Sequence, residues 1–352
     1  MQKKKILLIS LGSIGRRHLK NTRELLPNAE IAVFRQYTKN DGVVPVGADI
    51  LLGSIGDAIS FAPDAVIISS PATEHVRYSL PFIERGIPVF LEKPLSHTSD
   101  HIDEFATIVT ESNAFLMIGY VLRFLPILHE VRSLMAAGTL GRVLTAHVEV
   151  GQYLPDWRPE TDYRLGVSAQ KSLGGGCLLE LSHELDYATW LFGLPDSVIC
   201  SASKLSDLDI DVEDSAQVFL EYGPQNGSKT VHVQLDFLQR TANMFLQIVG
   251  TEATLQADLI NENLVLKTPS NPNGTAVDAT RLENGNELYL RQFDYFFSRS
   301  LKAYQDRFEE TASFKDAVDV RHAANVMRLI DLAKASNAKG KRLHFPGEQD
   351  VK

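Results

Sequence analysis

Along the first third of the chain, short apolar runs alternate with longer stretches in which apolar residues recur every three or four positions. Lys5–Ser10 (KILLIS), Ile31–Phe34 (IAVF), Asp64–Ser69 (DAVIIS), Pro88–Leu91 (PVFL) and Ala114–Gly119 (AFLMIG) are apolar almost throughout. Such runs suit strands covered on both faces of a parallel sheet. Between them, Ile14–Leu26, His75–Arg85 and Ser99–Ser112 carry helical periodicity, the last with Ser99 or Asp100 placed as an N-cap. Strand then helix, repeated, predicts βαβ units in a doubly wound α/β sheet.

From about Arg123 the pattern changes. A helix over Ile127–Ala137, a strand over Val143–Val150, a long irregular stretch to Gly176 and a helix over Leu178–Phe192 come first. Strands then dominate: Ser197–Ser203, Ser215–Tyr222, Lys229–Phe237, Met244–Val249, Thr254–Asp258 and Asn263–Lys267, separated by Gly, Pro or Asn as in an antiparallel meander. Helical blocks over 287–309 and 314–337 close the chain. The expected organisation is therefore residues 1–121 as a parallel α/β domain and 122–352 as an α+β domain with an open, mostly antiparallel sheet, the 314–337 helix packing back on the first. In Val231–Leu235 apolar and polar residues alternate, so the sheet has an exposed face, which is expected to join copies as a homodimer or homotetramer.

Length and composition narrow the class. At roughly 150 residues per domain, 352 residues make about two domains. With 44% hydrophobic and 22% charged residues the chain is neither disordered nor fibrous. Acidic residues outnumber basic ones by 44 to 35, and the net charge of −9 opposes binding to nucleic acid. Two cysteines, Cys177 and Cys200, could form one bridge, but so few point to a reducing, cytoplasmic setting. The opening MQKKKILLISLGSIGRRH imitates a signal peptide, yet glycines and Arg16-Arg17 interrupt it, and a buried first strand explains it better. No run of about 18 apolar residues suggests a membrane span. His97 and His101 lack a third ligand at zinc spacing, so no metal site is expected.

Directly after the first strand stands Ser10-Leu11-Gly12-Ser13-Ile14-Gly15, the G-x-G-x-x-G dinucleotide fingerprint with serine in place of its first glycine. Gly12 would let the backbone approach a pyrophosphate, Gly15 would let the helix pack closely on the strand, and the amides around Ser13 and Ile14 would face the anion. The first domain thus reads as a Rossmann dinucleotide-binding domain. An acid normally ends the second strand to hold the ribose 2′-hydroxyl; here Phe34-Arg35-Gln36 stands instead. Arg35 could face a 2′-phosphate or stack on adenine, which leaves NAD or NADP open and tilts modestly to NADP.

At the end of the strand Pro88–Leu91 comes Glu92-Lys93-Pro94, and strand carboxyl ends are where ligands bind in such sheets. An ammonium at Lys93 could hydrogen-bond a substrate hydroxyl and stabilise the oxyanion as hydride leaves its carbon. Later, Glu180, His183 and Asp186 recur every three residues, which on one helix makes a polar stripe in which a carboxylate could orient a proton-transferring imidazole. Between strand and helix, Gln152 to Arg164 is long for a passive connection. Its aromatics, Trp157 among them, offer faces for a sugar ring, and Arg158 and Arg164 offer forks for a carboxylate or phosphate.

Taken in order, LGSIGRRH (Leu11–His18), SPATEH (Ser70–His75), EKP (Glu92–Pro94), GYVLRFLP (Gly119–Pro126), GTLGRV (Gly138–Val143) and GGGCLLELSHELDYATWLFG (Gly174–Gly193) resemble the Gfo/Idh/MocA family of NAD(P)-dependent oxidoreductases over essentially the whole chain. The resemblance implies a dehydrogenase or reductase acting on CH–OH groups of a sugar, sugar acid or nucleotide-activated sugar. It makes Lys93 the catalytic lysine and His183 the proton-transfer histidine, and sets Ser70, Thr73, His75, Glu92 and Arg123 beside the cofactor. Trp157, Arg158 and Arg164, with Glu180 and Asp186, then border a small-molecule carbohydrate, neutral or anionic. The segment around Trp157 looks like those of enzymes serving surface-polysaccharide synthesis. Two departures matter: the family's aspartate four residues before the histidine is absent, so Glu180 stands only in its vicinity, and Ser10 replaces a glycine. Two rival activities fit the same pattern. One is a glycoside hydrolase working by oxidation, elimination and reduction on a retained NAD; the other is a dinucleotide-binding sensor without catalysis.

Overall fold

The protein is represented by a computed structural model that describes residues 3–35, 42–302, 304–305, 307 and 317–346. In chain order, β1 (Lys5–Ile9), α1 (Ser13–Leu25), β2 (Glu30–Phe34), β3 (Ile50–Leu52), α2 (Ile55–Ser60), β4 (Ala65–Ile68), α3 (His75–Ile83), β5 (Val89–Leu91), α4 (Ile102–Ser112) and β6 (Leu116–Ile118) come first. The six strands form one sheet in the order β3-β2-β1-β4-β5-β6. Every pairing in it is parallel. Ile6, Leu7 and Leu8, like Val66, Ile67 and Phe90, are wholly buried, which is why these strands read as continuous apolar runs. The order reverses between β1 and β4, and in open sheets of this kind ligands sit at the carboxyl ends beside that reversal.

The chain continues with α5 (Pro126–Ala136), β7 (Val143–Gly151), a series of single 3₁₀ turns, α6 (Cys177–Glu180), α7 (His183–Phe192), β8 (Ser197–Ser203), β9 (Ser215–Tyr222), β10 (Lys229–Asp236), β11 (Asn243–Gly250), β12 (Thr254–Asp258), β13 (Asn263–Thr268) and β14 (Asn271–Val277). Then come α8 (Gly285–Ser300), α9 (Val320–Lys339) and β15 (Leu343–His344). The expected helical blocks correspond to α8 and α9; their positions at 303, 306 and 308–316 lie outside the described residues, as does Gln36. The second sheet has the order β14-β13-β12-β11-β7-β10-β9-β8-β15. It is mostly antiparallel but not a simple meander: β7 enters between β10 and β11, parallel to the former. The long segment between β7 and β8 supplies the crossover that a parallel neighbour requires, and the place buries Ala146 and Val148.

Four elements escaped the pattern. β3 and β15 are two- or three-residue edge pieces, and α2 is a single short helix capped by Ser54, whose Oγ accepts from the Asp57 amide. β14 (NPNGTAV) carries Pro and Gly, which only an edge strand tolerates.

The described residues fall into two compact units: Met1–Phe124 with Glu283–Ala324, and Leu125–Leu282 with Asn325–Lys352. In the first, α8 joins the βαβ core through Phe293 and Phe296, both fully buried, whose rings lie 4.7 and 5.7 Å from Phe90 of β5. In the second, α6 and α7 lie against β9, β10 and β7, over an inner face built from Val198, Val218, Leu220, Val231 and Val233. The opposite face is only half-covered: Phe219, His232 and His147 stack across three strands, with centroids 4.5 and 4.8 Å apart. Cys177 and Cys200 are buried free thiols. Burial raises both, Cys200 to about 12, so neither is a ready nucleophile. No helix among the described residues is long and apolar enough to cross a membrane.

Candidate active site

In the first unit the candidate cofactor residues stand along one edge of the parallel sheet, each just after a strand: Gly12–Gly15 after β1, Arg35 after β2, Ser70–His75 after β4, Glu92 and Lys93 after β5, and Arg123 in the 3₁₀ turn after β6. The turn out of β1 depends on Ser10, which takes φ +72°, the left-handed region that glycine occupies freely. Ser10 holds this shape through its amide, which donates to the Phe34 carbonyl at 2.9 Å, and its carbonyl, which accepts from Ser69 Oγ at 3.0 Å. A Cβ on Gly15 would lie 2.6 Å from both the Ser10 carbonyl oxygen and Ser69 Oγ, so only glycine lets α1 approach. At Gly12 a Cβ would meet nothing within 4 Å, and α1 begins there without a side-chain cap or an acidic residue in its first turn.

These features fit a dinucleotide. An uncapped helix start offers backbone N–H groups and a positive dipole end to a pyrophosphate, with open space in front of Gly12. Arg16 and Arg17 are exposed, the latter stacked over Tyr289 at 4.5 Å. Arg35 Nε and the Ser70 hydroxyl are buried without a hydrogen-bond partner among the described residues; buried polar atoms seldom stay unsatisfied unless a ligand or water meets them.

Lys93, half-buried, follows the buried Glu92. Two buried histidines flank this turn. His18 of α1, fully buried, meets Glu92 Oε1 through Nε2 at 2.6 Å, while Glu92 Oε2 accepts from the Lys93 amide at 3.1 Å. His75 meets the Pro94 carbonyl through Nδ1 at 2.7 Å and the Ser70 carbonyl through Nε2 at 2.9 Å. Burial is the largest influence on His75 and holds its pKa below the ordinary value, although both carbonyls and the Glu92 charge pull the other way. His75 is thus a structural bracket in this fold, with 1% of its surface exposed. Arg123 is likewise buried, Nη2 donating to His322 Nε2 at 2.6 Å. Thr73 lies in the single 3₁₀ turn ahead of α3.

In the second unit the Gly174–Gly176 run is dictated by close approach. Gly174 and Gly176 have φ of +83° and +104°. A Cβ on Gly175 would lie 2.8 and 2.9 Å from the carbonyl oxygens of Ser168 and Gln170 and nearer still to that of Val167. Glu213 seals the start of α6, its Oε1 accepting from the Leu178 amide at 3.2 Å. The helix expected over Leu178–Phe192 is two helices, broken at Leu181-Ser182. Glu180 therefore ends α6 while His183 opens α7, and the continuous polar stripe is not formed. Glu180 is instead bound to Ser168, whose Oγ donates to its Oε2 at 2.6 Å. His183 is half-buried, whereas Asp186 and Glu184 are buried at 0% and 1% exposure.

The loop from Gln152 to Arg164 packs on itself. Trp157 donates its Nε1–H to the Gln152 carbonyl at 3.1 Å and sets its ring edge-to-face on Phe237 at 5.2 Å. Arg164, expected as a fork for a substrate anion, already grips Asp162 through Nε at 2.9 Å and Nη2 at 2.8 Å, with Asp209 3.8 Å away. That pair lowers the Asp162 pKa; being exposed, it is weak and can exchange. Arg158 is exposed, and its guanidinium makes no ion pair among the described residues. The cavity beneath, lined by Trp157, Arg158, Tyr163 and Ser168, is about 30 Å³, room for a water and not for a sugar. Among the described residues no three His, Cys, Asp or Glu side chains converge as a metal site. His18, Ser69 and Glu213 carry this architecture yet were given no role from the sequence. Only the place of His18 inside LGSIGRRH hinted at one.

Residues 4–120 match the oxidoreductase family with NAD-binding Rossmann fold, Gfo/Idh/MocA, and residues 128–256 match the Gfo/Idh/MocA C-terminal domain. The chain belongs to the Gfo/Idh/MocA family. It is similar to the inositol 2-dehydrogenase of Rhizobium meliloti (strain 1021), 29% identical over 227 residues covering 61% of this chain and 64% of that one. It is also similar to the rhizopine catabolism protein MocA of Rhizobium meliloti, 30% identical over 131 residues. That match spans 37% of this chain and only 38% of MocA, so less than two thirds of either relative is covered. A solved levoglucosan dehydrogenase, in complex with NADH and L-sorbose, superposes with a TM-score of 0.80 over 98% of this chain and 99% of that one, at 16% identity. The family's two-part architecture, a Rossmann domain followed by a mostly antiparallel sheet, is the one described above.

Proposed function

We propose that this chain is an NAD(P)-dependent dehydrogenase or reductase acting on a CH–OH group of a sugar, sugar acid or nucleotide-activated sugar. The observation that carries the reading is Lys93, set in a turn fixed by buried groups directly after β5, on the same sheet edge as the uncapped, glycine-lined start of α1. When bound there, a nicotinamide supplies a hydride acceptor or donor at its C4. Gly12, Ser13, Ile14 and Gly15 would hold the pyrophosphate with backbone amides, and the open Gly12 surface admits it. Arg35 would meet the adenosine ribose, and its guanidinium accommodates a 2′-phosphate as readily as the adenine face. The Ser70 hydroxyl would gain the partner it lacks.

The Lys93 ammonium would donate a hydrogen bond to the carbinol oxygen and stabilise the negative charge that grows there, without surrendering its own proton. The His183 imidazole would take the hydroxyl proton during oxidation and return it during reduction. Glu180 and Asp186 would act from behind, and of the two loop arginines Arg158 is the one available to a carboxylate or phosphate, since Arg164 is engaged by Asp162. Inositol and levoglucosan, named for the relatives above, support a polyhydroxy substrate class. A role in surface-polysaccharide synthesis rests on the Trp157 segment alone. Work in the cytoplasm, and pairing of two or four copies through the half-covered sheet face, belong to the same reading.

The test is incubation of the purified chain with NAD or NADP and a panel of free, acidic and nucleotide-linked sugars, following absorbance of reduced cofactor. Reduction with at least one sugar is expected. Release of an aglycone without net reduction would favour the hydrolase mechanism, and binding of NADH with no turnover on any sugar would favour the sensor.

A further inference from the structure

The turn carrying Lys93 is gripped from both sides by histidines that have no role in the chemistry just described. His18 is 0% exposed, packed edge-on to Phe90 at 5.5 Å and Phe293 at 4.7 Å, and its Nε2 reaches Glu92 Oε1 at 2.6 Å. A carboxylate only accepts, so Nε2 carries the proton and donates. The same carboxylate, through Oε2, accepts from the Lys93 amide. On the other side, His75 at the head of α3 meets the Pro94 carbonyl at 2.7 Å and the Ser70 carbonyl at 2.9 Å. Gly119 completes the seat: a Cβ there would lie 3.1 to 3.2 Å from Phe90 and Glu92. Glu92 and Pro94 are thus each tied to a different neighbouring segment, and the Lys93 amide between them is tied to the Glu92 carboxylate. His18 rides on α1, at whose start a pyrophosphate would sit; His75 lies between Pro94 and the loop that carries Ser70, its neutral ring donating its one N–H to one of the two carbonyls and packing against the other.

We propose that His18 and His75 are positioning residues that clamp the Glu92-Lys93-Pro94 turn to the two cofactor-binding segments, so that the Lys93 ammonium is held at the one place where it meets the reacting oxygen. This rests on the reading of Lys93 given above. The clamp sets geometry, and catalytic efficiency is steep in geometry: a misplacement of about 1 Å can cost on the order of 10²-fold. Both histidines are buried, His18 at 0% and His75 at 1% exposure, so loss of either should be felt in turnover more than in binding.

The experiment uses the full chain carrying His18→Ala, His18→Gln, His75→Ala and His75→Gln, each also combined with Lys93→Ala. With the best sugar of the panel, the alanine variants should lose about 10- to 100-fold in kcat while the sugar KM and the NADH Kd stay within about 3-fold. His18→Gln, whose amide can still donate to Glu92, should recover most of the loss. Adding either histidine change to Lys93→Ala should cost little more, because the two act through one group. Full additivity with Lys93→Ala, or a rise in NADH Kd that matches the loss in kcat, would overturn the proposal.

A second readout is independent of turnover. An amine-selective acylating reagent, with peptide mass spectrometry, should modify Lys93 several-fold faster or slower in the alanine variants, other lysines being unchanged. An unchanged Lys93 rate would overturn the clamp whatever the activity. If the unaltered chain oxidises no sugar while the Lys93 rate still shifts, the dehydrogenase reading fails and the clamp stands.

Discussion

Ser10 at φ +72° bears a strain that glycine would not. A side chain in the left-handed region costs roughly 1 to 2 kcal/mol, partly offset by the greater freedom glycine gains in the unfolded chain. Ser10→Gly should therefore raise the unfolding free energy by up to about 1 kcal/mol in urea titration, and a loss of stability would show that the serine side chain does more than occupy the turn. His75 makes a second residue-scale claim. Burial holds its folded pKa below the unfolded value of about 6.5. Between those two values the unfolded chain binds the extra proton and the folded one does not, so stability rises with pH across that window and falls on acidification below pH ~6.5. His75→Gln should flatten this slope in denaturation measured from pH ~5 to ~7; an unchanged slope would assign the effect elsewhere. At this scale the glycines and Lys93 were legible in the sequence because their meaning is local, a turn after a strand. The work of His18 was not, since its partner Glu92 lies 74 positions away and only folding joins them.

Among elements, the apolar strands of the parallel sheet declared themselves because both faces are buried, and β8, β9 and β12 match their expected limits residue for residue. Periodicity failed where geometry breaks it. Glu180, His183 and Asp186 keep a helical spacing, but the chain turns at Leu181-Ser182, so spacing put on one stripe what the fold divides among Ser168, a helix start and the interior. Nor could alternation reveal that β7 lies between β10 and β11, since strand order is set by long-range pairing. The triple glycine is the hinge of this region. Gly175→Ala would drive a methyl group against three backbone carbonyl oxygens that cannot swing aside. A destabilisation of at least about 2 kcal/mol is expected, read as a lower thermal midpoint, with activity lost in parallel. A variant as stable as the unaltered chain would contradict this close approach.

At the scale of the whole molecule, the half-covered face of the second sheet is the surface expected to join copies. Phe219, 40% exposed, stacks there with His232 and His147. Sedimentation should find a dimer or tetramer, and Phe219→Glu should shift it toward monomer by burying an unpaired charge; a monomer from the start would remove that face from consideration. The function itself stands or falls with Lys93, the ammonium group that the fold sets in the turn after β5. The most direct measurement is the turnover of Lys93→Ala against the unaltered chain on the same sugar, with NADH affinity followed by fluorescence in parallel. A loss of about 10²-fold or more in kcat at nearly constant NADH affinity is the expected result. Turnover within a few-fold of the unaltered chain would contradict it and send the search for the reacting group elsewhere.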